Sequence, residues 1–406
     1  MSTVKNAIVF SDVHLGREHS YLFTEEGNYS DNKAVLLSLL KELGPQDEVI
    51  LNGDLLELSL ACFEVVYREL GEFLSILAQA GPYKRIVYIP GNHDHHYWRF
   101  LAEQALERSI LDSTYHPGGD GEAYLYRFVD ERFSSKTKGL PCRLIFSDLW
   151  PDRENAPEFV VKYPHHLIEV AGATGNNRYF FTHGHFLESR FRPINALIKP
   201  NHLEELEAFN NIWLEFFDYH LGHAGRLTTA VLGVLKKYET SKRDAKKLIK
   251  QGFAYLYPQL KAKLGRFKAW LIKIAIKIGL RFFPVIPKND VQGYALDSKL
   301  RKNIVEYLDN YVLGRYLKEK ALELHLPCDK DIPVPFHFVF AHTHRPIVEP
   351  DNGKNVVTFE ENPFPILNTG GWVRQDECGT YHGENAGILQ IDANGYRWYS
   401  MDGKLK

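Results

Sequence analysis

Arg85-Ile86-Val87-Tyr88-Ile89-Pro90-Gly91-Asn92-His93-Asp94 is the stretch that decides how this chain folds. A run of β-branched and aromatic residues stops abruptly in Pro, Gly, Asn, His and Asp. That pattern predicts a buried strand, Arg85–Ile89, opening into a polar loop. The same grammar occurs at Ala7–Phe10 before Asp12-Val13-His14, and at Glu48–Leu51 before Gly53-Asp54-Leu55-Leu56-Glu57. It returns at Arg178–Phe181 before His183-Gly184-His185, and at His337–Phe340 before His342-Thr343-His344. Further short strand-like runs lie at Arg143–Phe146, Leu167–Val170 and Ile366–Leu367. Helical patterns fill Lys33–Leu43 and Phe63–Gln79. Strands alternating with helices predict an α/β fold with parallel pairing. In such sheets ligands collect beyond the carboxyl ends of the strands, where all five motifs fall.

The 406 residues are enough for a large core and for more than one domain. A formal net charge of -2 excludes a globally basic nucleic-acid binder. Cys62, Cys142, Cys328 and Cys378 are scattered, without metal-knuckle or redox spacing, which fits a reduced cytosolic protein. Met1-Ser2-Thr3-Val4-Lys5 runs straight into a strand-like segment, and no signal peptide is visible. The expected location is cytoplasmic. Composition divides the chain into a core segment at 1–185, a helical basic insertion or cap at 186–330, and a second core segment at 331–406. The tail predicts a hairpin, Ala386–Ile391 and Tyr396–Met401, around Asn394-Gly395.

The five motifs together offer carboxylate, amide and imidazole ligands, a mixture suited to divalent cations. Asp12 and His14 are two apart, as are His342 and His344, so each pair shares a face if the strand geometry continues. Asp54 has two oxygens with which to bridge two ions, and Asn92 has an amide oxygen. Each motif alone is weak, since most histidines bind nothing; five at strand ends predict a dinuclear centre. Paired metals are the usual apparatus for displacement at phosphorus.

These motifs, in this order, resemble the calcineurin-like metallophosphoesterases: Asp-x-His, Gly-Asp-x-x-(Asp/Glu), Gly-Asn-His-(Asp/Glu), a single His, then Gly-His-x-His. Ala341 stands where the last glycine is usual. The resemblance implies a four-layer αββα sandwich of two mixed β-sheets, here with a helical insertion. It implies one metal on Asp12, His14, Asp54 and His344, and another on Asp54, Asn92, His183 and His342, with Asp54 bridging. It implies hydrolysis of a phosphoester or phosphoanhydride by a hydroxide between the metals. His93 is the candidate general acid and Glu57 the carboxylate that orients it, although acidic residues also favour first helical turns. Imidazole with carboxylate suits manganese first, with iron and zinc as alternatives.

Arg345 is a candidate phosphate contact, because guanidinium pairs bidentately with phosphate oxygens. His185 is expected to touch substrate or to support His183. His95 and His96 either line the pocket or cap the following helix, and Arg17 is open in the same way. Asn368-Thr369-Gly370-Gly371-Trp372 resembles a family loop packed beneath the site.

From Arg226 to Lys288 there are sixteen Lys or Arg against Glu239 and Asp244, a net +14 that leaves -16 elsewhere. Such asymmetry often marks an anionic partner. Lys273, Lys277 and Arg281 form a basic stripe at helical spacing, with Lys263 and Arg266 near it. Leu264, Phe267, Leu271, Ile274, Ile278 and Phe282 lie mainly on other faces. No charge-free run approaches the ~18–20 residues that span a bilayer. Three readings stand: a helix lying in an anionic membrane surface, a helix packed on the core with its lysines exposed, and a cap that attracts an anionic substrate. Nucleic acid is a weaker prospect, because Phe253, Tyr255 and Tyr257 lack a recognisable binding module.

Within the family, the UDP-2,3-diacylglucosamine pyrophosphatases are similar in outline. They share the closing His-x-His-Arg-Pro, here His342-Thr343-His344-Arg345-Pro346, and a helical cap after the fourth motif. They carry arginine where this chain has His93, and their cap is shorter. The resemblance makes a lipid-like pyrophosphate the first expected substrate, peripheral to the inner membrane face. A soluble nucleotide or phosphoprotein is the alternative enzyme substrate. A non-enzymatic scaffold is the third reading, opposed by retention of every ligand and of His93.

Overall fold

The computed structural model describes residues 2–17, 20–23, 31–59, 61–101, 140–141, 146–172, 175–188, 203–212, 296–312, 336–348, 355–359, 361–373 and 383–401, with single residues and runs of two to four elsewhere between 103 and 274. Two sheets form from runs whose side chains alternate between two buried faces. One has seven strands: β2 (Ala7–Phe10), β3 (Gln46–Asn52), β4 (Tyr83–Ile89), β5 (Leu140–Pro141), β6 (Glu158–Val161), β12 (Gly387–Asp392) and β13 (Gly395–Ser400). Their order is β13-β12-β2-β3-β4-β6-β5. Strands β2, β3, β4 and β6 are parallel, and β12 joins β2 antiparallel. The other sheet has six: β1 (Ser2–Val4), β7 (His165–Gly172), β8 (Gly175–Thr182), β9 (His337–Phe340), β10 (Val356–Phe359) and β11 (Asn362–Asn368). Their order is β1-β7-β8-β9-β11-β10, with β8, β9 and β11 parallel.

The period-two pattern assigns each side chain to a layer. Ala7, Val9, Ile50, Val87 and Ile89 point between the sheets, against Ile168, Val170, Tyr179, Phe181 and Val339. Their neighbours Ile8, Phe10, Val49, Leu51 and Tyr88 point outward. There they meet Leu36 and Leu40 of α1 (Asn32–Leu43) and Val66, Leu70, Phe73 and Leu77 of α2 (Phe63–Ala80). On the far side, Phe180, Phe338, Phe340 and Ile366 pack against Leu203 and Leu206 of α3 (Leu203–Ile212) and Leu300, Ile304 and Tyr307 of α4 (Ser298–Tyr307). The layers are therefore helix, sheet, sheet, helix.

Helices α3 and α4 both come from the stretch read as an insertion. They cover the outer face of the six-stranded sheet, so the ends of that stretch complete the fourth layer. Asp297 starts α4 as a true N-cap, its Oδ1 accepting the Leu300 amide at 2.7 Å.

Most expected elements lie within a few residues of their predicted bounds, including the hairpin, where Asp392 pairs with Gly395. The strand expected at Arg143–Phe146 falls mostly outside the described residues; 143–145 are not among them, and Phe146 is helical. Strand β6 takes the place beside β4. Among the described residues no helix is long and apolar enough to cross a membrane.

Candidate metal centre and active site

The carboxyl ends of β2, β3, β4, β8 and β9 deliver the five motifs to one place. Sharp reversals follow these strands. Asp12, His14, Asp54, His342 and His344 all have positive φ, between 47° and 69°. Among the described residues Glu361 is the one other non-glycine that does. Such backbone costs about 1–3 kcal/mol per residue and persists only where the surroundings fix it. They do so here: Asp12 N–H donates to the Gly53 carbonyl at 3.0 Å and His14 N–H to the Asp54 carbonyl at 2.9 Å. The His342 amide donates to Asp12 Oδ2 at 3.0 Å. The backbone must also come close. A Cβ on Gly91 would lie 2.2 Å from Asp54 Oδ1, and one on Gly53 2.1 Å from His183 Nδ1.

Three groups of ligand atoms converge within 4.8 Å: Asp12, His14 and His344; Asp54, His183 and His342; and His14, Glu57 and His93. The first two groups touch through their ligand atoms. His14 Nε2 is 3.3 Å from His344 Nε2, and His344 Nε2 is 3.3 Å from Asp12 Oδ1. Asp54 Oδ2 lies between them, 3.7 Å from His14 Nε2 and 3.3 Å from His183 Nε2. Asn92 Oδ1 is 3.2 Å from His183 Nε2. All seven of these residues are buried. Buried carboxylates crowded against imidazole nitrogens need positive charge nearby, and divalent cations can supply it. The donor set fits two divalent ions.

Electrostatics point the same way. Burial by itself would raise the Asp54 carboxyl, but the charges of His183 and His93 outweigh it and hold it well below its usual range. Burial opposes protonation of His183, yet Asp54 lifts it to about 9. His14 is pushed by burial down to about 4, which keeps its imidazole neutral. Burial lifts Asp94 to about 6, helped by Asp54. Asp94 is structural: it accepts the amides of Gly91 at 2.6 Å and Leu56 at 3.1 Å.

Glu57 is buried beside two imidazoles. Its Oε2 is 3.1 Å from His14 Nδ1 and its Oε1 2.7 Å from His93 Nδ1. Burial would raise its carboxyl, but the charge of His93 and the bonds to both histidines hold it well below the usual value. Ser59 Oγ donates to Glu57 Oε1 at 2.6 Å and lies 2.8 Å from His93 Nδ1. Nδ1 of His93 is thus engaged, and its side chain is 20% exposed where the seven donor residues are buried. Arg17 Nη1 is 3.9 Å from Glu57.

Other expected residues fall elsewhere. His185 is buried, its Nε2 3.5 Å from Tyr163 Oη and its ring 5.5 Å from that of His183. Arg345 is exposed beside His344. His95 and His96 are held by carboxylates from the helical stretch. His95 is buried between Glu207 of α3, on Nε2, and Glu215, 2.7 Å from Nδ1. His96 Nδ1 lies 2.8 Å from the other Glu215 oxygen, and its ring stacks on Tyr219 at 3.7 Å. Tyr163 Oη completes the clasp by donating to Glu207 at 2.9 Å. The sequence carries no local sign of it, because His95 and Glu207 are 112 positions apart. Ser59 was missed too, although its place two residues after Glu57 was a usable hint. Beneath the site, Asn368 Nδ2 donates to the Ala341 carbonyl at 2.9 Å and the Trp372 amide to the Asp12 carbonyl at 2.9 Å.

Comparison with known proteins agrees with this geometry. The family model for calcineurin-like phosphoesterases matches residues 6–240. No curated protein matches. Solved structures similar to this chain include a cold-active protein-tyrosine phosphatase of a psychrophilic Shewanella sp., at 13% identity and TM-score 0.27, covering 100% of this chain and 81% of that one. Another is the calcineurin-like phosphoesterase YfkN from Bacillus subtilis, at 10% identity and TM-score 0.31, covering 99% and 92%. Likeness that slight adds nothing to the family match. With more than half its length matched, the chain belongs to the calcineurin-like phosphoesterase family and is a metal-dependent hydrolase of phosphoesters.

Proposed function

We propose that this enzyme cleaves a lipid-like phosphoanhydride or phosphoester, of the UDP-2,3-diacylglucosamine type, at an anionic membrane surface. The observation that carries the reading lies on the basic cap. Phe267, Trp270 and Leu271, one helical face at i, i+3 and i+4, are 70%, 50% and 46% exposed. Lys261, Arg266, Lys268 and Lys273 are exposed in the same segment, and Lys273 Nζ sits 5.2 Å from the Tyr257 ring. A helix packed on the core would bury those apolar side chains. An interfacial helix leaves them out, with cations at headgroup level. Lys263, Lys277, Arg281, Leu264, Ile278 and Phe282 lie outside the described residues. In this reading the cap is the basic middle of 186–330, carried between α3 and α4.

Asp12, His14, Asp54 and His344 would hold one cation and Asp54, Asn92, His183 and His342 the other. Two divalent ions bound there, manganese in this reading, would supply an acidified water and offset charge on the phosphoryl oxygens. The chain's own residues do the rest. His93 Nε2 protonates the departing oxygen. Glu57 and Ser59 hold its Nδ1, so the proton to be given up faces the substrate. Arg345, exposed beside the ligands, pairs with a phosphate oxygen. His185 supports His183 from behind.

The test is manganese-dependent phosphate release from an aryl monoester, an aryl diester, UDP-glucosamine and its diacylated form, with and without anionic vesicles. Preference for the acylated pyrophosphate, increased by vesicles, is expected. Brisk turnover of the soluble esters, indifferent to lipid, would establish the soluble-substrate reading instead.

A further inference from the structure

We propose that Glu188 is a positioning residue that fixes which nitrogen of His342 faces the metal. The inference rests on His342 being a ligand, as read above. Glu188 Oε2 lies 2.7 Å from His342 Nε2, and the carboxylate is 0% exposed. An ionised carboxylate only accepts, so with Glu188 ionised Nε2 carries the hydrogen. The lone pair is then on Nδ1, at the opposite side of the ring. Nδ1 would then be the nitrogen offered to a cation beside Asp54 and His183, which have ligand atoms within 4.8 Å of one of the His342 nitrogens.

His14 shows the reverse arrangement. Its Nδ1 is bonded to Glu57, and its Nε2 lies toward His344 and Asp54. Each half of the centre thus has one histidine whose tautomer is set by its own buried carboxylate, on opposite ring nitrogens. Such outer partners orient a ligand and raise its basicity.

The support for Glu188 is built into the fold. It follows a 3-10 turn, His185–Leu187, and its amide donates to the His185 carbonyl at 3.0 Å. Asn303 of α4 holds that turn, donating from Nδ2 to the Leu187 carbonyl at 2.8 Å. The Phe191 ring closes on the His342 ring at 5.4 Å, edge to face. A carboxylate brought to a ligand by a helix of the fourth layer is invisible in the sequence, where Glu188 is an isolated acid 154 residues from His342.

The experiment compares Glu188→Gln, Glu188→Ala and His342→Ala with the unaltered protein. Calorimetric titration with manganese gives the stoichiometry and affinity of each site, and electron paramagnetic resonance reports whether two manganese ions are coupled. The expected result is one site weakened about 10–100-fold in Glu188→Ala, less in Glu188→Gln, with the other site unchanged. The coupled signal then gives way to that of a single ion at equal metal. Unchanged affinities and an intact coupled signal in the Glu188 variants, with a site lost in His342→Ala, would overturn the role of Glu188 alone. Retention of both sites in His342→Ala would overturn the ligand reading and this proposal with it. Should Glu188→Ala not fold, Glu188→Gln keeps the volume and gives the same readout.

Discussion

Asp54 has more depending on it than any other side chain of the site. Its Oδ2 lies between His14 and His183, and its Oδ1 accepts the His93 amide at 2.8 Å. Asp54→Asn keeps the shape and removes the charge. It is expected to strip most of the metal and nearly all turnover, as measured by metal analysis beside phosphate release. Full activity with metal content unchanged would remove Asp54 from its bridging role. His93→Ala is expected to leave metal content alone and to slow turnover on the order of 100-fold or more for poor leaving groups. Good leaving groups need no proton, so for a nitrophenyl ester the loss should be far smaller. Equal losses across a leaving-group series would show that His93 is not the acid.

At the scale of elements, two contacts define the helical stretch. The first is the clasp of His95 by Glu207 and Glu215, which ties α3 to the segment after β4. Burial opposes the charge on His95, but the two carboxylates raise it from 6.5 to about 9. A raised histidine stabilises the fold fully below its unfolded value, and that stability is lost as pH rises through about 9. Replacing His95 with Gln should therefore cost stability on the order of 3 kcal/mol at pH 6, and much less at pH 10. Denaturant titrations at the two pH values measure the difference; a gap that does not narrow would count against the charged clasp. The second contact is the exposed face of Phe267, Trp270 and Leu271. Serine at Phe267 and Trp270 should weaken sedimentation with anionic vesicles, and Lys273→Gln should remove about 1 kcal/mol of the attraction. Vesicle binding that ignores all three changes would leave the face without a membrane role.

Across the described residues, two sheets and the helices on their outer faces bring buried carboxylates and imidazoles together at one end. That concentration of charge makes the fold depend on what it binds. Cations held at one hundred times their dissociation constant add about 2.7 kcal/mol. Chelation is therefore expected to lower the unfolding midpoint, and manganese to restore it. A midpoint indifferent to both would mean that the centre holds no metal under those conditions.

Much of this was determined by the sequence alone. A strand run ending in Gly-Asn-His-Asp carries both its burial and its chemistry locally, because period-two patterning and turn residues act within a few positions. That is why β2, β3, β4, β8 and β9, and the cluster of donor side chains at their ends, were legible. Strand β6 was not, since Glu158–Val161 gains its place by pairing with β4 and β5. Tertiary structure alone decided the rest. It made α3 and α4 a layer of the sandwich, because an apolar helix face looks the same whatever it packs against. It also set the partners of buried polar groups: Ser59 on His93, the two carboxylates on His95, and Glu188 on His342. Long-range hydrogen bonds of that kind depend on where two backbones meet, and the one-dimensional pattern carries no record of it.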